Sequence, residues 1–393
     1  MATPASDAPA RGIFEEEHEA FRDSFRRFLA REVAPHAARW REAGQVDREV
    51  YEKAGAQGFL LMWADERHGA ASIGDFRYEQ IMIEDNAAHG ELGFFMALHS
   101  RLVGRYIGVL GTEEQKERLL PDCIRGKTIL GIAMTEPAAG SDLSGMRSHA
   151  VRDGGDWILN GSKTYISNGQ IGDLFVVAAR TVSEKRHGLG LFLVARGMKG
   201  FERGRKLRKL GLEAQDTSEL FFDNVRIPAA NVLGDPTRGF HYLTQFLAEE
   251  RLIAACQYLS HARAAFDLTL EFVKERRVFG KLLGAYQNTR FKLAEMRAQL
   301  DGLQAFVDRS VMEHNAGRLT PETAAAAKWL TSELEWRVMD ECLQLHGGAG
   351  YMEEHRICRM FADARVSRIY GGSSEIMKEI IARGLGLDER KMT

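Results

Sequence analysis

Cysteine, charge of one sign and long apolar runs are all scarce in this chain, and each shortage closes off a class of protein. The four cysteines, Cys123, Cys256, Cys342 and Cys358, lie far apart in 393 residues and show no metal-ligand spacing. They exclude a disulfide scaffold, offer no metal site, and read as reduced core thiols of a cytoplasmic protein. A net charge of −2 supplies no basic field, so nucleic acid is not an expected partner. No apolar run reaches the roughly 18–20 residues that cross a bilayer, so no membrane span is expected. The stretch Met1–Asp7 has neither a basic segment nor an apolar core, and only Arg11 precedes the acidic Glu15-Glu16-Glu17 run, so neither a secretory signal nor a transit peptide is expected. A nicotinamide-binding glycine loop is missing too. Gly347-Gly348-Ala349-Gly350 follows a helical pattern instead of a strand, with no βαβ unit around it, and reads on its own as a helix cap and turn.

What is present is an ordinary globular composition, 45% hydrophobic and 27% charged, long enough for two or three domains. Phe14, Phe21, Phe25, Phe28 and Leu29 recur at helical spacing, and Thr112-Glu113-Glu114-Gln115 reads as a capping box. Short β-rich runs follow at 174–179, 189–195 and 220–227, separated by Gly, Asp and Asn clusters. After Gly239 the helical period returns, with Leu293, Met296, Leu300, Leu303, Val307, Val311 and His314 on one stripe and Ile376, Ile380 and Ile381 on another. The expected fold class is α+β, mostly α. Its expected parts are an N-terminal helical domain over 1–129, a central β-barrel-like domain over 130–238 and a C-terminal four-helix bundle over 239–393.

Two segments carry the chemistry: Met134-Thr135-Glu136-Pro137-Ala138-Ala139-Gly140-Ser141-Asp142 and Asn160-Gly161-Ser162-Lys163-Thr164-Tyr165-Ile166-Ser167-Asn168-Gly169. Hydroxyls and glycines beside one aromatic can hold the edge and face of a flat heterocycle or a phosphate. A pair of loops capped by Ser, Thr and Asp fits the residues alone equally well. Both segments resemble the flavin-contacting signatures of the acyl-CoA dehydrogenase family. The resemblance runs from about Ile13 onward and is nearest to the long-chain members.

That resemblance implies FAD as cofactor. It places Met134, Thr135 and Ser141 near the pyrimidine edge and the CoA side, with Tyr165 and Ser167 beside the isoalloxazine, where many relatives carry Trp and Thr. Within Arg276-Arg277-Val278-Phe279-Gly280, Arg276 and Phe279 match positions that reach the FAD of a neighbouring subunit. Gln287, Gln344, Gly347, Gly348, Ser373 and Glu375 match further FAD contacts. As a lone side chain, Arg276 also fits a solvated helix-end charge, and Ser373 a helix cap.

Dehydrogenating an acyl thioester needs a base for the α-proton and a hydride acceptor at the β-carbon. Leu243, Leu247, Glu250 and Ala254 are spaced as one helix face, flanked by Phe246 and Ile253, whereas Glu249 falls off that stripe and reads as surface. A carboxylate on an apolar stripe lines a cavity or sits in a buried ion pair, with Arg251 or another arginine as partner. Most family members hold their glutamate directly after the tyrosine of a C-terminal motif. Here that motif reads Tyr370-Gly371-Gly372-Ser373, so Gly371 stands in its place. Long-chain and isovaleryl-CoA members instead carry a glutamate before an arginine on the first bundle helix, as Glu250-Arg251 does. The resemblance thus implies Glu250 as base and the Gly371 N–H as donor to the thioester oxygen, with Arg251, Tyr370 and Gly372 around the substrate.

The implied activity is FAD-dependent α,β-dehydrogenation of medium-to-long acyl-CoA in fatty-acid β-oxidation, with an electron-transfer flavoprotein as acceptor and a homotetramer as assembly. Phe94 and Phe95 stand where long-chain relatives are small, and either shorten the acyl pocket or face the core elsewhere. Short branched acyl-CoA, a flavin oxidase or monooxygenase of the same fold, and a non-catalytic relative are the competing expectations.

Overall fold

The computed structural model describes residues 11–182 and 188–388. They gather into two compact units. A mainly helical one runs as far as Leu29, resumes over Phe76–Gly90 and resumes again from Ala248; the other holds Ala30–Asp75 and Glu91–Leu247. The α–β–α order expected along the chain is the order observed. Among the described residues, no helix is long and apolar enough to cross a membrane.

The helical unit is built on α1 (Glu16–Phe28), α2 (Phe76–His89), α3 (Leu247–Glu275), α4 (Gln287–Asn315), α5 (Pro321–His346) and α6 (Ser374–Gly384). Helix α2 packs against both α1 and α4. Two of its buried carboxylates, Glu84 and Asp85, are matched by arginines from other segments. Arg11 bridges Glu84 and Asp308, and Arg22 and Arg26 reach Asp85. Helix α5 packs against α4 and α6. On α4 the expected stripe is buried at Leu293, Met296, Leu300, Val307 and Val311, while Leu303 and His314 are half-buried. On α6 the buried apolar side chain is Met377, and Ile376, Ile380 and Ile381 lie at its half-buried margin.

The sheet unit holds eight strands in one mixed sheet: β1 (Leu130–Ala133), β2 (His149–Asp153), β3 (Asp156–Ser167), β4 (Leu174–Arg180), β5 (Leu189–Ala195), β6 (Phe201–Lys206), β7 (Thr217–Ile227) and β8 (Val232–Leu233). The order is β6-β7-β3-β2-β4-β5-β8, with β1 parallel to β4. Alternate residues from β2, β3, β4, β5 and β7 converge on one core around Trp157, Phe175, Phe192 and Phe222. The predicted capping box is present: Thr112 accepts from the Gln115 N–H, and the Thr112 N–H donates to the Gln115 side chain. Cys123, Cys256 and Cys342 are buried free thiols, but Cys358 is only half-buried, so it is not a core residue.

Candidate active site

In the sheet unit the two quoted segments meet. The first leaves the end of β1, and Thr135 accepts a hydrogen bond through its carbonyl from the Thr164 N–H at 2.9 Å. Lys163, on β3, is fully buried; its Nζ lies 2.7 Å from Glu136 Oε1 and 3.1 Å from the Met134 carbonyl. Glu136 also accepts from the N–H groups of Arg147 and Ser148. Burial opposes ionisation of Glu136, yet Lys163 and these donors hold its carboxyl below the usual range. Burial also pulls the Lys163 ammonium down to about 8 against the attraction of Glu136.

Strand alternation would put Lys163 and Tyr165 on the same face. A bulge prevents it. Lys163 pairs with Leu220 and Ile166 with Ser218, leaving one extra residue on β3. Tyr165 takes the left-handed conformation there (φ 60°) and presents its ring to solvent, 68% exposed, while Lys163 points into the core. Ser141 is exposed, Met134, Thr135 and Ser167 are half-buried, and Ser167 pairs with Thr217. Below the segment, His99 Nδ1 accepts from the Leu130 N–H at 3.1 Å, so its Nε2–H donates to the Cys123 carbonyl at 2.9 Å. Burial drops this imidazole to about 4, keeping it neutral.

Sequence reasoning misses the pairing of Lys163 with Glu136, because a lysine reads as surface by type; its place inside a strand motif is the available signal. Phe94 takes the second of its two expected places, in the core. It is fully buried and packs edge-on against Tyr51 (ring centroids 5.1 Å apart). Phe95 is half-buried and stays a candidate.

The expected stripe of Leu243, Leu247, Glu250 and Ala254 is interrupted. Leu243 belongs to a separate short helix, Gly239–Gln245, and α3 starts beyond Phe246. The phase shifts accordingly, and the exposure order of the two glutamates is opposite to that expected. Glu249 is buried, 3.8 Å from His314, while Glu250 is half-exposed on the same margin as Leu247 and Ala254. Arg251 is buried, with no hydrogen-bond partner for its Nε among the described residues; burial lowers its pKa while Glu250 raises it. On the same helix Tyr258 packs edge-on against Tyr370 (6.1 Å), whose phenol burial pushes up to about 12. Gly371 (φ 64°) is exposed, and a Cβ there would meet nothing within 4 Å; Gly372 has φ 92°. Lys328 on α5 is fully buried and donates to the Ser367 carbonyl (2.8 Å) and the Gly372 carbonyl (2.6 Å). Ser373 caps α6 through Ile376 N–H, and Glu375 is exposed in the first turn.

The remaining expected contacts lie at the ends of α3, α4 and α5 and in the hairpin after α3. Arg276 is exposed after α3, and Phe279-Gly280 forms the two-residue turn of a hairpin, both with positive φ, leaving the Phe279 ring 98% exposed. Gln287 opens α4, Gln344 is exposed near the end of α5, and Gly347 (φ 60°) and Gly348 have open space where a Cβ would stand. These groups fit the expected FAD. An outward aromatic face, neighbouring hydroxyls, an exposed guanidinium and open glycine backbone match a flat ring system carrying a diphosphate.

Comparison with known proteins matches the whole described frame to one family. The models for the acyl-CoA dehydrogenase N-terminal, middle and C-terminal domains match residues 15–127, 131–225 and 237–386. The mitochondrial long-chain specific acyl-CoA dehydrogenase of Sus scrofa is 48% identical over 391 residues, covering 99% of this chain and 91% of the relative. Among solved structures, an acyl-CoA dehydrogenase from Geobacillus kaustophilus superposes with a TM-score of 0.94 at 45% identity, covering 96% of this chain and 100% of the other. A glutaryl-CoA dehydrogenase from Mycobacterium smegmatis in complex with FADH2 gives a TM-score of 0.88 at 30% identity, covering 95% of each chain.

Proposed function

The chain belongs to the acyl-CoA dehydrogenase family, and from that premise we propose that Glu250 takes the α-proton of an acyl-CoA thioester while the Gly371 N–H binds the thioester oxygen. The protein is an FAD-dependent oxidoreductase acting on acyl-CoA. FAD, when bound, supplies the acceptor for the hydride that leaves the β-carbon. This chain's own residues prepare that departure. The Glu250 carboxylate accepts the α-proton, and the electron pair it leaves becomes the α,β double bond as the β-hydride goes. Negative charge that builds on the thioester oxygen meets the Gly371 N–H, with the buried Arg251 guanidinium beside Glu250.

One observation carries this assignment: Gly371 has no side chain and open space before it, while Glu250 is a half-exposed carboxylate next to a buried arginine. The hydroxyls and ring of Thr135, Ser141, Tyr165 and Ser167 are assigned to the flavin ring. Arg276, Phe279, Gln287, Gln344, Gly347, Gly348, Ser373 and Glu375 are assigned to the rest of FAD. The outward Phe279 ring supports a homotetramer in which a second subunit covers it. Medium-to-long straight acyl chains, β-oxidation and an electron-transfer flavoprotein acceptor complete the proposal. Phe95 is the side chain proposed to limit chain length.

Anaerobic titration with acyl-CoAs of graded length, isovaleryl-CoA included, tests the reading by following bleaching of the flavin. Bleaching strongest with medium or long straight chains is expected; a flavin that stays oxidised with every ester rejects the assignment.

A further inference from the structure

The segment 367–372 contains Gly371, whose N–H is proposed to bind the thioester oxygen, and both of its ends are tied to one side chain. Lys328 Nζ donates to the carbonyl of Ser367 at 2.8 Å and to that of Gly372 at 2.6 Å. Between those points the chain turns tightly, with the N–H groups of Ile369 and Tyr370 both donating to the Val366 carbonyl. Gly371 and Gly372 then adopt positive φ. Two glycines in sequence leave such a turn with wide backbone freedom, so its geometry has to be imposed from outside.

Helix α5 imposes it. Lys328, Ser332 and Glu335 lie on one buried face, spaced by four and three residues. Two residues before Glu335, Glu333 accepts from both Arg368 (2.9 Å) and Ser374 (2.7 Å), so the same helix also grips the flanks of the turn. Glu335 meets His261 of α3 at 2.7 Å. An ammonium with no exposed surface is costly to bury where an apolar side chain could fill the volume. Its direct hydrogen-bond partners are the two carbonyls, and the Tyr258 ring lies 5.9 Å from Nζ.

We infer that Lys328 is a positioning residue: by clamping the Ser367 and Gly372 carbonyls it aims the Gly371 N–H at the thioester oxygen. The inference rests on the role given to Gly371 above. Burial and the neighbouring Arg251 pull this ammonium down to about 8, against Glu335, Glu333 and Glu375, so it remains mainly charged at neutral pH. The Tyr258 ring that faces Nζ also packs edge-on against Tyr370, a residue of the turn itself. Misplacing a donor by about 1 Å lowers the rate it supports by roughly 100-fold.

The test uses the FAD-loaded enzyme and 3-thiaoctanoyl-CoA, which can lose its α-proton but has no β-hydrogen to pass on. Binding is read by calorimetry, and enolate formation by the long-wavelength absorbance of enolate against oxidised flavin. Lys328→Met should retain FAD yet bind the analogue about 10- to 100-fold more weakly, with the long-wavelength band lost. Lys328→Gln, which keeps an N–H donor, should recover part of both signals. Wild-type affinity and band in Lys328→Met would overturn the inference. Should that variant fail to fold, Lys328→Gln decides by the same two readouts. Failure of both to fold assigns Lys328 to the core and also overturns it. A wild-type enzyme that neither binds the analogue nor bleaches with acyl-CoA removes the functional reading and this inference together.

Discussion

Each unit buries a lysine completely beneath a backbone segment with positive φ, and the two lysines are held in different ways. In the sheet unit, Lys163 has a carboxylate partner, Glu136, as well as the Met134 carbonyl, and the nearby left-handed residue is Tyr165. In the helical unit, the hydrogen bonds of Lys328 among the described residues go to two carbonyls, with Glu335, Glu333 and Glu375 acting on it through charge alone, and the residues with positive φ are Gly371 and Gly372. An ion pair ties its members together energetically, because removing one leaves the other charged and buried. A clamp on carbonyls leaves neutral acceptors when it is lost, which costs less and mainly releases geometry. The sheet unit therefore depends on its lysine for stability, and the helical unit depends on its lysine for aim.

The largest effect should come from the chemistry assigned to the helical unit. Glu250→Gln is expected to keep the fold and FAD while slowing single-turnover flavin reduction by about 10²–10⁴-fold. An unchanged rate would move the base elsewhere. Gly371→Glu in that background should return part of the activity, since a side chain there meets open space. Its φ of 64° limits the recovery, because a left-handed conformation costs a non-glycine residue about 1–2 kcal/mol.

In the sheet unit the corresponding break is Lys163→Met, which strands the Glu136 carboxylate in the core. Urea unfolding should show a loss of about 3–5 kcal/mol, and adding Glu136→Gln should return much of it. If the double variant is no more stable than the single one, the pair is not what holds the two segments together, and the contrast with Lys328 falls.

The same contrast marks what could be read from sequence. Strands β4, β5 and most of β7, the Thr112 capping box and the α4 stripe are legible, since each depends on local pattern and turn chemistry. The two flavin-type segments were legible as motifs, but not how they join, because neither Lys163 nor Glu136 announces a buried partner by its type. Lys328 follows the small apolar run Ala324–Ala327, and a lone cation in such a helical run was the overlooked signal. The order of Glu249 and Glu250 was misread because periodicity assumes one uninterrupted helix, and the break at Phe246 resets the phase. Which of its two places Phe94 takes is not legible, because the sequence carries no sign of Tyr51 beside it.

A smaller effect separates the units by pH. His99 is neutral in the fold, held near 4 by burial, whereas an unfolded histidine titrates near 6.5. Between those values the unfolded chain binds the extra proton. The stability His99 contributes is thus complete above pH 6.5 and is lost as pH falls toward 4, by about 3 kcal/mol. His99→Gln can keep both hydrogen bonds without titrating, so the difference between its denaturation midpoints and those of wild type should vary across that window. A difference that stays flat with pH would show that His99 already takes up its proton in the fold.

The smallest effect concerns Tyr165, where fold and function are expected to pull in opposite directions. The bulge on β3 holds this residue at φ 60°, and its ring is 68% exposed, so the fold gains little from the side chain. Glycine adopts that conformation without the Cβ penalty, although it raises the entropy of the unfolded chain. Tyr165→Gly should therefore leave the FAD-free protein as stable as wild type or more stable by up to about 1 kcal/mol, read by urea unfolding. The same variant should retain FAD less tightly and shift the flavin spectrum, because the aromatic face assigned to the ring is gone. The pairing of the two results is the test. Lost stability with unchanged FAD retention would make Tyr165 a packing residue of the sheet unit. Retained stability with weakened FAD would show a backbone strain maintained there for the ligand.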